Sequence, residues 1–193
     1  MTDTHIATST TNTDPGSVHQ VVIDTLPKAT MTFSEEGKDL LKRIERLHLT
    51  PYDDQTGRDT GHYVPGATIG YGHLISSADW DVYANGITQA QADALFDSDM
   101  QPTVDTVNDA LTVGVTQNQF DALVILCFNI GPGAFRSSSA LRLINDPQAT
   151  TAYNSVDDAW RAFNRSQGQV NNGVINRRNA ELRIYSHGDY SGW

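Results

Sequence analysis

The sequence predicts an α+β fold in which helices dominate: a first helix, a small β-hairpin element, then a helical bundle. Three observations carry that expectation. Apolar residues recur at helical spacing from Ser34 to His48 and again from Thr88 almost to the end. Between these stretches, residues 51 to 73 hold five glycines and two prolines around short β-compatible runs, "HYV" and "ATIGYG". The chain's 193 residues suffice for one well-buried core but not for two substantial domains.

Taken in order, residues 1 to 30 are rich in Thr, Ser, Asp and Pro without lasting periodicity, a composition that cannot offset ordering entropy by burial. They read as a flexible arm or linker with at most a short strand at "VVI", leaving 31–193 as one catalytic-size domain. In "SEEGKDLLKRIERLH" Ser34 is placed to cap a helix, Glu35 and Glu36 sit at its positive end, and Leu40, Ile44 and Leu47 share a face, with Pro51 just beyond its end. After the glycine-rich segment, "TQAQADALFDSDMQPTVDTVNDAL" has a Thr88 cap, with Pro102 marking a helix start or kink. "TQNQFDALVILCFNIG" is apolar nearly all round behind Thr116, which marks it as the buried central helix, ended at Gly131-Pro132-Gly133. "SSSALRLIND", "SVDDAWRAFNRS" and "NRRNAELRIYSHG" supply three more helices.

Charge and cysteine content narrow the function classes. With 23 acidic against 13 basic residues the net charge is −10, which argues against nucleic acid or an anionic membrane as an electrostatically captured partner. The lone Cys127, inside "VILCFNIG", offers neither a disulfide nor a cysteine metal site, and reads as a small buried hydrophobe with a raised pKa. No apolar stretch reaches the roughly 18 residues of a membrane span, and the N-terminus lacks the pattern of a signal peptide. The expectation is a protein made in the cytoplasm, without membrane insertion, that needs other machinery to act outside it.

Glu45 falls in the last turn of the first helix, where the negative end of the dipole opposes ionisation, a placement suited to a general acid. Nine residues on, Asp54 sits in "YDDQTG", where turn amides can keep it ionised. Two carboxylates pushed in opposite directions suit glycosidic-bond hydrolysis. Spacing alone fits a solvated helix end beside an Asx turn better than it fits a catalytic pair.

The surrounding residues are more specific. Glu45, Tyr52, Asp54, Gly57 and the run Thr68-Ile69-Gly70, Gly72 and His73 follow, in order, the pattern of the phage-type lysozyme family, and "QFDALVILCFNIGPGAF" and "NRRNAELRIY" continue the likeness, which covers residues 34 to 187. The chain thus resembles that family. The resemblance implies a lysozyme-like two-lobed domain, a small β-hairpin lobe and a helical lobe with the cleft between them, Glu45 as acid, Asp54 as the opposing carboxylate and Thr68 as the hydroxyl that places water. It further implies Leu74 and Phe128 against the sugar chain and no metal or organic cofactor. The implied activity is N-acetylmuramidase cleavage of bacterial peptidoglycan, with inversion, by a monomeric phage endolysin or secreted effector that meets an immunity protein or delivery machinery. Rival readings are a peptidoglycan-binding module with a decayed site, and a lytic transglycosylase or chitinase.

Two departures from the family pattern stand out. Arg46 replaces the usual glycine after the acid and puts a cation beside it, which would lower the pKa of Glu45. Ten residues, "RDTGHYVPGA", separate Gly57 from Thr68, a long connection expected to form a longer hairpin or a flap over the cleft. Elsewhere, Asp53 is expected to cap a turn and His73 to tie sheet to helices by a hydrogen bond or ion pair. Of Arg177 and Arg178, one is expected to face the cleft and one to neutralise the acidic surface. Trp80 and Trp160 are expected to pack in the core or at the lobe seam.

Overall fold

The computed structural model describes residues 27–166 and 168–192. Most of the expected arm, including the strand at 21–23, lies outside the described residues. Residues 27–30 are exposed and without regular structure, and anchoring begins at Met31, whose backbone N–H and C=O both bond to the Asn108 side chain, at 2.9 and 2.8 Å.

Helix α1 (Glu35–Glu45) starts as expected, with Ser34 Oγ accepting the Gly37 N–H at 3.1 Å. It ends earlier than its apolar pattern implies. Arg46 takes φ 59°, ψ 144°, the one non-glycine residue at positive φ among those described, so Leu47 leaves the helical face and strand β1 (His48–Asp53) follows at once. Pro51 therefore lies inside β1, where the register against its neighbour slips between His48 and Tyr52 and tolerates a residue without an N–H. Arg46 stands in a conformation that strongly favours glycine. Arg46→Gly is expected to stabilise the domain by about 1 kcal/mol, read as a higher urea midpoint at unchanged slope.

The β element is larger than one hairpin. Strands β2 (Arg58–Asp59), β3 (Ala67–Gly70) and β4 (His73–Leu74) join β1 in an antiparallel sheet of order β2-β1-β3-β4. The long connection after Gly57 supplies β2, which pairs Asp53 with Arg58 and Tyr52 with Asp59, and then a loop returning to β3. That loop is held down by Tyr63, which meets the Trp80 ring edge-on at 6.3 Å.

A short helix α2 (Trp80–Tyr83) leads to α3 (Gln89–Ala110), opened by a reciprocal Thr88–Gln91 capping box. Pro102 neither starts nor ends a helix but lies within α3. It costs only the bond to the Ser98 carbonyl, and the buried Met100, Val104 and Val107 hold that stretch against the core. Helix α3 touches β3, β4 and α4 (Gln117–Ile130), so it is the beam joining the lobes. Helix α4 is buried from Phe120 to Cys127 and ends at Gly131, as its all-round apolarity implies. Around it lie α5 (Pro132–Arg136), α6 (Ser139–Asn145), α7 (Val156–Arg161) and α8 (Asn172–His187). The helix expected over "SVDDAWRAFNRS" stops at Arg161, and its last residues enter a two-stranded ribbon, β5 (Arg165–Ser166) with β6 (Gln169–Val170).

The main core gathers α4, Phe96, Phe135 and Trp160, while a smaller cluster of Ala67, Ile69 and Ile75 sits under the sheet against Trp80 and Leu95. Full burial of each such aliphatic side chain contributes roughly 1.5–3 kcal/mol. One buried carboxylate interrupts the apolar helix α4. Asp121 accepts bonds from the Ser34 N–H and hydroxyl, from Gln117 Nε2 and from the Tyr190 hydroxyl, at 2.5–3.1 Å. Among the described residues no helix is long and apolar enough to cross a membrane.

Candidate active site

Glu45 is the last residue of α1, with its side chain 27% exposed, on the side facing α8. Burial pushes its carboxyl above the ordinary range, and Arg177 pulls the other way. The cation beside the acid is thus Arg177, whose Nη1 lies 3.8 Å from Glu45 Oε1, rather than the exposed Arg46 next to it in sequence. The abrupt φ of Arg46 separates two residues that are covalent neighbours.

The two adjacent aspartates have separate roles. Asp53 closes β1 and accepts from the Gln55 N–H and the Thr56 hydroxyl, both at 2.9 Å, so it caps the turn as expected. The turn amide assigned to Asp54 from sequence goes to Asp53 instead. Asp54 stands exposed just past the strand end, and its carboxyl lies directly over Gly66.

Gly66 links the two lobe-bound candidates. Its carbonyl accepts the Asp54 N–H at 3.1 Å and the Thr68 hydroxyl at 3.0 Å. With its proton committed there, the Thr68 oxygen has lone pairs to accept from a water. Thr68 itself is buried in β3, directly across from Tyr52 on β1 and from Leu74 on β4. Tyr52, tilted on His48 at 4.2 Å, has a hydroxyl held above its usual range by burial, by Asp54 and by Glu45. Both carboxylates are thus within electrostatic reach of one phenol, and Thr68 lies across the ladder from that tyrosine.

Leu74, 64% exposed, is the cross-strand partner of Thr68 and shares its face of the sheet. Phe128 sits on the other lobe, half-buried in the last turn of α4 and packed on the main core. Next to it, Asn129 borders a cavity of about 510 Å³ between α4 and the β5–β6 ribbon.

His73 Nδ1 meets Asp99 Oδ2 on α3 at 2.9 Å, the tie between sheet and helices expected of it. Among the described residues no cluster of three or more His, Cys, Asp or Glu could hold a metal. Cys127 is buried, with burial pushing its thiol up to about 11. Trp160 is fully buried and Trp80 packs under the sheet.

The arginine expectation needs correction. Arg178 is not a surface neutraliser but 1% exposed, donating Nη2 to Asn129 Oδ1, with Nε 3.3 Å from Glu181 Oε2. Glu181, fully buried, also takes Arg177 Nε at 3.2 Å and the Trp160 indole N–H at 2.8 Å. Glu181 and Gly66 went unread in the sequence. Glu181 had a signal, since it falls four residues after Arg177 and three after Arg178, the spacing of ion pairs on a helix.

Comparison with known proteins identifies the family. The Phage lysozyme family model matches residues 42–181. The endolysin of Bacillus phage PZA is 42% identical over 159 residues, covering 82% of this chain, while the chain spans 56% of that endolysin's length. Among solved structures, the endolysin from Escherichia coli O157:H7 phage FAHEc1 is 31% identical, with TM-score 0.66 over 84% of this chain and 98% of that one. The muramidase domain of SpmX from Asticaccaulis excentricus is 33% identical, with TM-score 0.61 over 80% of this chain and 97% of that one. With 140 of its residues matched by the model, and relatives alike over nearly their full solved length, the chain belongs to the phage lysozyme family.

Proposed function

We propose that this protein is a peptidoglycan hydrolase that cuts the β-1,4 bond between N-acetylmuramic acid and N-acetylglucosamine. The observation that carries the reading is the pairing of a half-buried Glu45, whose carboxyl burial pushes above the ordinary range, with an exposed Asp54, both within electrostatic reach of Tyr52. Glu45 delivers its proton to the leaving glycosidic oxygen as the C1–O bond breaks. A water accepted by Asp54 and hydrogen-bonded to Thr68 gives its proton to Asp54 and attacks C1 from the opposite face, so the product is the inverted hemiacetal. Leu74 and Phe128, one on each lobe, are the apolar contacts for the sugar rings. No cofactor enters this scheme.

Residues 31–193 form the catalytic domain in this reading, supported by the Met31–Asn108 bonds at its start, and residues 1–30 are a linker. A net charge of −10 gives no long-range attraction to an anionic wall, which favours delivery through a holin or a secretion apparatus, action in the periplasm or cell wall as a monomer, and neutralisation by an immunity protein where the producer needs protection.

Digestion of purified sacculi, with the fragments read by mass spectrometry, tests the reaction. Reducing muramic-acid ends are expected. Anhydro ends would mean a transglycosylase, and intact sacculi a binding module.

A further inference from the structure

We infer that Glu181 is a positioning residue for this reaction, holding the Arg177 guanidinium just short of a hydrogen bond to Glu45 so that the acid is left free to deliver its proton. The inference rests on Glu45 being the acid proposed above. Every group facing the two oxygens of Glu181 is an N–H donor: Arg177 Nε at Oε1, the Trp160 indole and Arg178 Nε at Oε2. A proton on Glu181 would have no acceptor there, so the geometry holds it as the carboxylate. Burial opposes that charge, and Arg178, the indole N–H and Arg177 support it.

The decisive comparison is between the two acids that share Arg177. Its Nε is 3.2 Å from Glu181 Oε1, within hydrogen-bond range, whereas its Nη1 is 3.8 Å from Glu45 Oε1, outside it. Glu181 lies one turn further along α8, on the same face as Arg177, and draws the guanidinium away from α1. With the Glu181 charge removed, the balance between the two acids shifts, and the planar fork could close on Glu45 in a charge-assisted, bidentate pair. Such a pair favours the ionised carboxylate, and an ionised Glu45 has no proton for the leaving oxygen. Among the described residues Tyr52, on the sheet lobe, also feels the charge of Glu45, together with that of Asp54. Charge removal at Glu181 therefore reaches Glu45 through Arg177.

The experiment is the pH profile of kcat/KM on soluble peptidoglycan oligomers for the wild type, Glu181→Gln, Glu181→Asp and Arg177→Met, with Glu45→Gln as control and circular dichroism to establish folding. In Glu181→Gln the alkaline limb should move down by roughly one pH unit, so that above it the rate falls about tenfold with KM little changed. Glu181→Asp, which keeps the charge, should leave the limb where the wild type has it, and Arg177→Met should move it up. A folded Glu181→Gln with an unmoved limb overturns the inference. If that variant does not fold, Arg177→Met decides: an upward shift supports the hold on Arg177, and an unmoved limb overturns it. An active Glu45→Gln control would instead remove the acid assignment itself, and the inference with it.

Discussion

Glu45→Gln should lower turnover on sacculi by roughly a thousandfold, within the range for loss of a general acid, and should melt at the same or a higher temperature than the wild type. The two effects share one cause. Burial raises the Glu45 carboxyl in the folded state, so the native protein binds that proton more tightly than the unfolded chain does. The resulting stabilisation is complete below the unfolded pKa and is lost as pH rises through the folded one. Once ionised, the half-buried carboxylate is therefore a burden that the neutral amide does not carry. The same direction sets the activity profile, since hydrolysis should persist above the ordinary carboxylate range and fall as Glu45 gives up its proton. A Gln variant that still releases reducing ends, or one that loses both activity and stability, would show that Glu45 supports the fold rather than the chemistry.

The second large effect falls on a residue with no side chain. Gly66 has φ +96°, and a Cβ built there would stand 2.4 Å from Asp54 Oδ1 and 3.3 Å from its Cγ. Gly66→Ala therefore strains the backbone by about 1–2 kcal/mol and also displaces the Asp54 carboxylate, the proposed acceptor of the water's proton. It disturbs the carbonyl that anchors Asp54 N–H and Thr68 Oγ1 as well. Misplacement by about 1 Å can cost on the order of a hundredfold in rate, and that is the loss expected. Gly168, in the ribbon turn, has φ +78° with nothing within 4 Å of its added Cβ. Gly168→Ala should thus match the stability loss while keeping its activity. Equal activity in the two variants would mean that Gly66 does not position Asp54.

The sequence made the helices legible where local chemistry and burial agree. Ser34, Thr88 and Thr116 announce helix starts, and the run from Phe120 to Cys127 can only be a buried helix. The candidate site residues came from the family pattern, and of that pattern the structure shows the strand pair at "TIGYGH", Ala67–Gly70 with His73–Leu74. What could not be read had no local cause. The end of α1 at Glu45 depends on an arginine held at positive φ by its surroundings, and an arginine carries no turn signal. The extra strand β2 is two residues long and exists only by pairing with β1. Burial of Arg178 follows from Glu181, Asn129 and Trp160 converging from three helices, a tertiary fact that outweighs the usual surface preference of arginine.

Ser34 and Tyr190, near the two ends of the described chain, rest on the same Asp121 carboxylate. Glu45 lies at the other end of the 11-residue α1, roughly 16 Å away at 1.5 Å per residue. A module tethered to either flank would leave from a single pole, remote from the acid. Tension between the flanks would be borne by three hydroxyl and amide contacts on one helix, so the domain can be pulled by its ends without the two lobes being drawn apart.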